Sequence, residues 1–152
     1  MSTRRAFQKG YLKTQATPGA IELIEWNSNN FSELKEAIKN SDVVINLIGI
    51  LYETRKQKFY NIHSNIPEVI SKICSEVDVK KFIHVSAIGA NENSKSLYQK
   101  SKKLGEDKAL DNFKKTVKQH NYIGGLISEG TPKLEELIDL KDYKFCLLYT
   151  SP

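Results

Sequence analysis

Apolar and polar residues alternate over Ile21-Glu-Leu-Ile-Glu-Trp26, the period of a strand with one covered face. Asn30 follows as an N-cap with Glu33 three residues on, and Phe31, Leu34 and Ile38 share one helical face. That helix is expected to end at Asn40, a residue that enters the left-handed conformation readily. Residues 43–48 are almost continuously apolar, as in a strand buried between helices on both sides of a parallel sheet. Phe59, Ile62, Ile66, Val69, Ile70 and Ile73 mark the covered side of a helix over residues 58–77, which Pro67 is expected to kink or divide. Lys81-Phe-Ile-His-Val-Ser86 reads as a second buried strand, and a polar loop leads from it into a helix over residues 97–113.

Strand and helix in this alternation predict right-handed crossovers and an α/β fold built on a doubly wound parallel sheet. Beyond Lys115 the pattern weakens. His120-Asn-Tyr-Ile-Gly-Gly125 has turn chemistry, Thr131-Pro132 suits a helix start with Leu134, Leu137 and Ile138 on one face, and residues 143–149 suit a short strand.

The 152 residues, 39% hydrophobic and 27% charged, set one globular domain as the expectation. The net charge of +5 comes from lysines scattered among carboxylates, so it reads as a solvated basic surface and not as a nucleic-acid interface. Cys74 and Cys146 lie far apart, which gives neither a disulfide framework nor a zinc motif. The longest apolar run, residues 43–52, is about half of the roughly 20 residues that a membrane span needs, so no transmembrane segment is expected. The first 21 residues carry Arg4, Arg5, Lys9 and Lys13 and no acid, a pattern shared by organelle transit peptides and by basic loops.

Candidate chemistry gathers where the second buried strand ends. Ser86 closes that strand, on the side of an open parallel sheet where ligands collect, and Tyr98 follows twelve positions later in Tyr98-Gln-Lys-Ser-Lys102. Tyr98 and Lys102, four apart on a helix, share a face, and an ammonium beside a phenol favours the phenolate that a proton donor or acceptor needs. Gly105 and Ala109 continue the stripe, small enough to bring that helix close to its neighbour. The spacing alone is weak, because Tyr52 and Lys56 match it too with no serine strand upstream. His63 and His84 fall on a helix and in a strand, where packed histidines outnumber ligands.

Three linked runs give a resemblance: Asn46-Leu-Ile-Gly-Ile-Leu-Tyr-Glu53, Lys81-Phe-Ile-His-Val-Ser-Ala-Ile-Gly-Ala90 and Tyr98-Gln-Lys-Ser-Lys-Lys-Leu-Gly-Glu106. From about residue 4 to residue 113 the chain resembles the atypical short-chain dehydrogenase/reductases, related to NAD-dependent epimerases and dehydratases. Within them it looks most like the nucleotide-binding accessory subunit of respiratory complex I and its bacterial relatives. The resemblance implies a Rossmann-like fold that binds NADP or NAD, with Asn46 and Gly49 against the adenosine half. Lys102 would hydrogen-bond the nicotinamide ribose, Tyr98 would act as acid and base, and Ser86 would orient a substrate. Arg4 and Arg5 would follow the family's second strand, where an arginine meets a 2′-phosphate, and His63 takes a position at which many extended relatives carry asparagine.

The resemblance also implies parts that this sequence does not contain. The family opens with a strand and a Gly-x-x-Gly-x-x-Gly turn that holds the pyrophosphate, and Gly10 and Gly19 stand alone here. The expectation is a partial Rossmann-like sheet lacking the first βα unit, with apolar edges where the central strand would lie. Residues 1–115 would form the partial nucleotide-binding domain, 116–145 an unassigned segment, and 146–152 a non-native tail resembling a translated transposon-end adapter. The function implied is an NAD(P)-binding accessory or assembly protein of a respiratory NADH dehydrogenase, cytoplasmic or membrane-peripheral in a bacterium or in the mitochondrial matrix, with complex I subunits as partners. The alternatives are an oxidoreductase or nucleotide-sugar epimerase that uses Tyr98, and a fragment without function.

Overall fold

A computed structural model describes residues 2–3, 24–25, 30–117 and 145–148. The arginines at 4 and 5, the turn at 120–125 and the expected helix near 131–138 lie outside the described residues. Five parallel strands form one sheet: β1 (Ser2–Thr3), β2 (Ile24–Glu25), β3 (Val43–Asn46), β4 (Lys81–His84) and β5 (Phe145–Leu148), in the spatial order β2-β1-β5-β3-β4. The helices are α1 (Phe31–Lys39), α2 (Ile66–Glu76), preceded by a π-helical turn at Tyr60–Asn65, and α3 (Leu97–Val117).

The α/β class stands, and β3 and β4 are buried along almost their whole length, as the mostly apolar runs that contain them predict. They pair in register from Val43↔Lys81 to Asn46↔His84, so both end at the same level. The expected gap at the centre of the sheet is a correction. β5 lies between β1 and β3, with Val43↔Phe145 through Asn46↔Leu148 in register, and Cys146 and Leu148 join the core. The apolar edge of β3 is thereby paired by residues that sequence reasoning had divided between an unassigned segment and a tail. Leu34 and Ile38 of α1, Ile66, Ile70 and Cys74 of α2, and Ala109 and Phe113 of α3 pack in one cluster with Val44 and Phe82 of the sheet.

Asn30 caps α1 through its side chain, which accepts from the Glu33 N–H at 3.5 Å. The other end corrects an expectation: Asn40 has φ −100°, not the left-handed conformation. Ser41 explains it, because its N–H donates to the Ile38 carbonyl at 2.8 Å and its hydroxyl to the Ala37 carbonyl at 3.3 Å, closing the last turn without a left-handed residue. Left-handed backbone is used instead after α2, at Asp78 (φ 60°), where the Val79 N–H donates to the Cys74 carbonyl at 3.0 Å.

Pro67 divides the expected long helix. Its ring clashes with the carbonyl of the residue four before it, His63, and it has no N–H to offer that carbonyl. The preceding turn widens to the π form, in which the Ile66 N–H reaches back to the Asn61 carbonyl, and α2 starts with Pro67 in its first turn.

Candidate functional site

The polar residues of the core collect where β3 and β4 end. Asn46 and His84, opposite each other in the ladder, are fully buried and joined by Asn46 Nδ2 donating to His84 Nδ1 at 2.9 Å. Asn46 Oδ1 also accepts from the Ile48 N–H at 3.0 Å, which turns the chain sharply after β3 and presents Gly49. With Nδ1 accepting, His84 carries its proton on Nε2, and among the described residues that atom has no hydrogen-bonding partner; neither has the buried hydroxyl of Ser86.

Lys102 enters this region from α3. The side chain is 5% exposed, and its ammonium makes one long hydrogen bond, 3.5 Å, to the carbonyl of Val85, the residue beside Ser86. Burial holds its pKa below the ordinary lysine value, with the Glu106 carboxylate opposing that shift. A Cβ added at Gly49 would lie 3.3 Å from Lys102 Nζ and 3.8 Å from His63 Nε2, so the absent side chain is what lets this loop meet the lysine. Gly49, Lys102, Val85 and Ser86 are thus brought together, with Asn46 beneath them.

Tyr98 sits on the same stripe of α3, half-buried, with its ring edge-on to His63 (centroids 5.2 Å apart, 88°) and to Phe59 (5.6 Å, 80°). The stripe continues as expected: a Cβ at Gly105 would overlap the His63 carbonyl oxygen, and Ala109 is fully buried. His63 is the residue that sequence reasoning set aside as ordinary packing. It is fully buried and stacked on Phe59, and both of its ring nitrogens are engaged. Its available signal was position: one turn before Pro67, on the face that α3 covers. Among the described residues no cluster of histidine, cysteine and carboxylate side chains suits a metal ion, and no helix is long and apolar enough to cross a membrane.

Donors dominate this region: the Lys102 ammonium, the His84 ring N–H and the Ser86 hydroxyl all lie near the ends of β3 and β4, and Glu106 is the carboxylate that Lys102 senses. It can receive oxygen acceptors, such as the hydroxyls and carbonyls of a nucleotide ribose or amide, beside a backbone that a side chain does not obstruct. The buried unengaged Ser86 hydroxyl and the Gly49 approach fit such a group. The pyrophosphate-binding glycine turn does not occur in the sequence, so this fit concerns one half of a dinucleotide.

No family profile matches the chain. Individual relatives do. The chain is 34% identical over 107 residues to NADH dehydrogenase [ubiquinone] 1 alpha subcomplex subunit 9, mitochondrial, of Mus musculus, covering 70% of this chain and 28% of the mouse protein. It is 34% identical over 114 residues to the NADH-ubiquinone oxidoreductase 40 kDa subunit, mitochondrial, of Neurospora crassa, covering 75% of this chain and 30% of that one. An epimerase family protein of Mycobacterium leprae is 32% identical over 85 residues, 52% of this chain and 28% of its own. The class is an atypical short-chain dehydrogenase/reductase of epimerase-like type. Within it the chain stands near the complex I subunit, as a homologue that spans less than a third of the length of the relatives it matches.

Proposed function

We propose that this chain carries part of a Rossmann-like NAD(P)-binding domain, over residues 1–115, in an accessory or assembly subunit of a respiratory NADH dehydrogenase. The observation that carries the reading is the buried Lys102 ammonium, with one 3.5 Å hydrogen bond, facing the side-chain-free backbone of Gly49 beside the unengaged Ser86 hydroxyl. Lys102 has two further N–H donors for the ribose hydroxyls, Asn46 fixes the turn that brings Gly49 close, and Ser86 meets a polar atom at the mouth. A bound nicotinamide dinucleotide supplies hydride chemistry, yet a subunit can use it as a ligand that stabilises the fold. The two mitochondrial subunits among the relatives support peripheral association with the respiratory complex, in the mitochondrial matrix or at the inner surface of a bacterial membrane.

A second reading is an oxidoreductase or epimerase, favoured by the same Ser86 hydroxyl: a buried, partnerless donor near the Tyr98 helix suits a substrate oxygen whose proton Tyr98 would exchange. Fluorescence titration of the chain with NADPH and NADH, beside Lys102→Ala and Tyr98→Phe, separates the readings. Saturable binding that is lost in Lys102→Ala, kept in Tyr98→Phe and unaccompanied by turnover of a carbonyl panel is expected for the accessory role. Turnover abolished by Tyr98→Phe establishes the enzyme. No saturable binding by the parent chain overturns both.

A further inference from the structure

We propose that His63 is the brace that sets the spacing between the Gly49 loop and Lys102. The inference deepens the cofactor reading above and uses its site. An N–H only donates, so the Ile50 amide, 3.0 Å from His63 Nε2, fixes that nitrogen as the acceptor. The ring proton therefore rests on Nδ1 and is donated to Ser101 Oγ at 2.9 Å. The Ser101 hydroxyl in turn donates to the Tyr98 carbonyl at 2.7 Å. One continuous chain of hydrogen bonds thus runs from the loop after β3, through the π-helical turn, to the first turn of α3. Ser64 doubles the link between the π-helical turn and α3, donating from its hydroxyl to the Ser101 carbonyl at 2.9 Å.

The two ends of this chain carry the groups that the site uses. Ile50 follows Gly49, and Ser101 precedes Lys102. Phe59, stacked at 5.3 Å, and the edge of Tyr98 at 5.2 Å flank the imidazole. A second proton on the ring would set Nε2–H against the Ile50 N–H, with the Lys102 ammonium adding repulsion, so the brace requires the neutral ring. His63 is a positioning residue: it touches the loop and the helix, and acts on a ligand through them.

The parent chain tests the brace without any ligand. Nitrogen-15 NMR should find the His63 proton on Nδ1, and the Ile50 amide should exchange slowly. His63→Phe keeps the stack and removes both hydrogen bonds; it should speed Ile50 exchange at least about tenfold and weaken NADPH binding by about tenfold, the scale of one lost hydrogen bond. His63→Gln, which retains one acceptor and one donor, should recover most of both effects, and a purely space-filling role would not produce that recovery. Ser101→Ala, which cuts the next link, serves if His63→Phe does not fold. A proton on Nε2, a rapidly exchanging Ile50 amide, or unchanged NADPH binding in His63→Phe overturns the proposal. A parent that shows the braced ring but binds no NADPH overturns the cofactor reading and leaves the brace standing.

Discussion

Replacing Gly105 with alanine sets two effects of opposite sign against each other. In a helix interior alanine is favoured over glycine by about 1 kcal/mol, so helix propensity alone predicts a more stable protein. The packing predicts the reverse. A Cβ at this position would overlap the His63 carbonyl oxygen and lie 3.0 Å from the carbonyl carbon, where carbon atoms in contact sit roughly 3.5–4.0 Å apart. Both atoms are backbone, in a turn that Pro67 already forces into the π form, so α3 has to move outward. Overpacking of this kind costs about 1–3 kcal/mol. Moving α3 also stretches the 2.9 Å bonds from Ser64 Oγ to the Ser101 carbonyl and from His63 to Ser101 Oγ, each worth about 0.5–1.5 kcal/mol. The expected net loss is about 2–4 kcal/mol, or a Tm lower by about 5–15 °C for a chain of this size. Thermal melts followed by circular dichroism measure it. Gly89→Ala is the control: Gly89 has φ 79°, but an added Cβ there meets the end of the flexible Gln99 side chain, so the loss should be limited to about 1–2 kcal/mol of left-handed strain. Pro67→Ala restores an N–H to residue 67 and should reduce the Gly105→Ala loss in a double-mutant cycle. A Gly105→Ala protein that melts at or above the parent temperature refutes the close contact between α3 and the π-helical turn.

Stability should fall with acid before the carboxylates titrate. Burial and the nearby Lys102 ammonium hold His63 down to about 4 and His84 down to about 3, so the unfolded chain takes up protons first. Stability is then full above pH ~6.5 and declines by about 1.4 kcal/mol per pH unit for each histidine as the pH drops toward those folded values; melts between pH 7 and 4 check it, and His63→Phe should halve the slope. Ser86→Ala removes a buried hydroxyl that has no partner and should leave the Tm unchanged or raised while weakening NADPH binding; a clear loss of stability would reveal a partner for that hydroxyl. Leu148→Asp places a carboxylate in the core of β5 and should abolish cooperative unfolding, because β1 pairs with β2 and β5, and β3 with β4 and β5, so that β5 alone joins the two pairs. In a Cys74→Ala background, alkylation of the buried Cys146 should be slow in the native chain and fast in Leu148→Asp; fast labelling of the native thiol would show β5 unseated.

Local signals carried most of the elements. The mostly apolar runs at 43–48 and 81–86 contain β3 and β4, the Asn30 cap and its apolar stripe mark α1, and Pro67 announced the break before α2. What was not legible depended on contacts distant in sequence. The end of α1 was assigned to left-handed Asn40, but a backbone bond from Ser41 to Ile38 closes it, and a residue's tolerance of a conformation does not oblige it to adopt one. A short strand was expected over residues 143–149, but its place at the centre of the sheet was missed for a stronger reason. Nothing local to Phe145-Cys-Leu-Leu148 distinguishes a strand that ends a chain from one that pairs on both sides at the middle of a sheet. The apolar face that β3 would otherwise expose selects it, and that demand is visible only once the register of the whole sheet is known.

The same division holds inside the site. Ser86, Tyr98 and Lys102 were legible because their spacing repeats a pattern, but that pattern says nothing of which groups spend their hydrogen bonds on the fold. His63 spends both nitrogens on joining a loop to a helix, whereas among the described residues His84 Nε2, the Ser86 hydroxyl and two of the three Lys102 N–H donors meet no protein acceptor. A buried donor left unengaged costs about 1–3 kcal/mol, a penalty that a folded domain rarely carries three times at one place unless something else meets it. Substitutions should therefore separate into two sets. Those at His63, Ser101 and Gly105 lower stability and affinity together, because the scaffold moves the site. Those at Ser86 and Lys102 lower affinity while leaving stability equal or higher, since the groups removed serve the ligand and burden the fold. If Lys102→Met destabilises the chain as strongly as Gly105→Ala, the lysine is a structural strut and the assignment of a binding role to it fails.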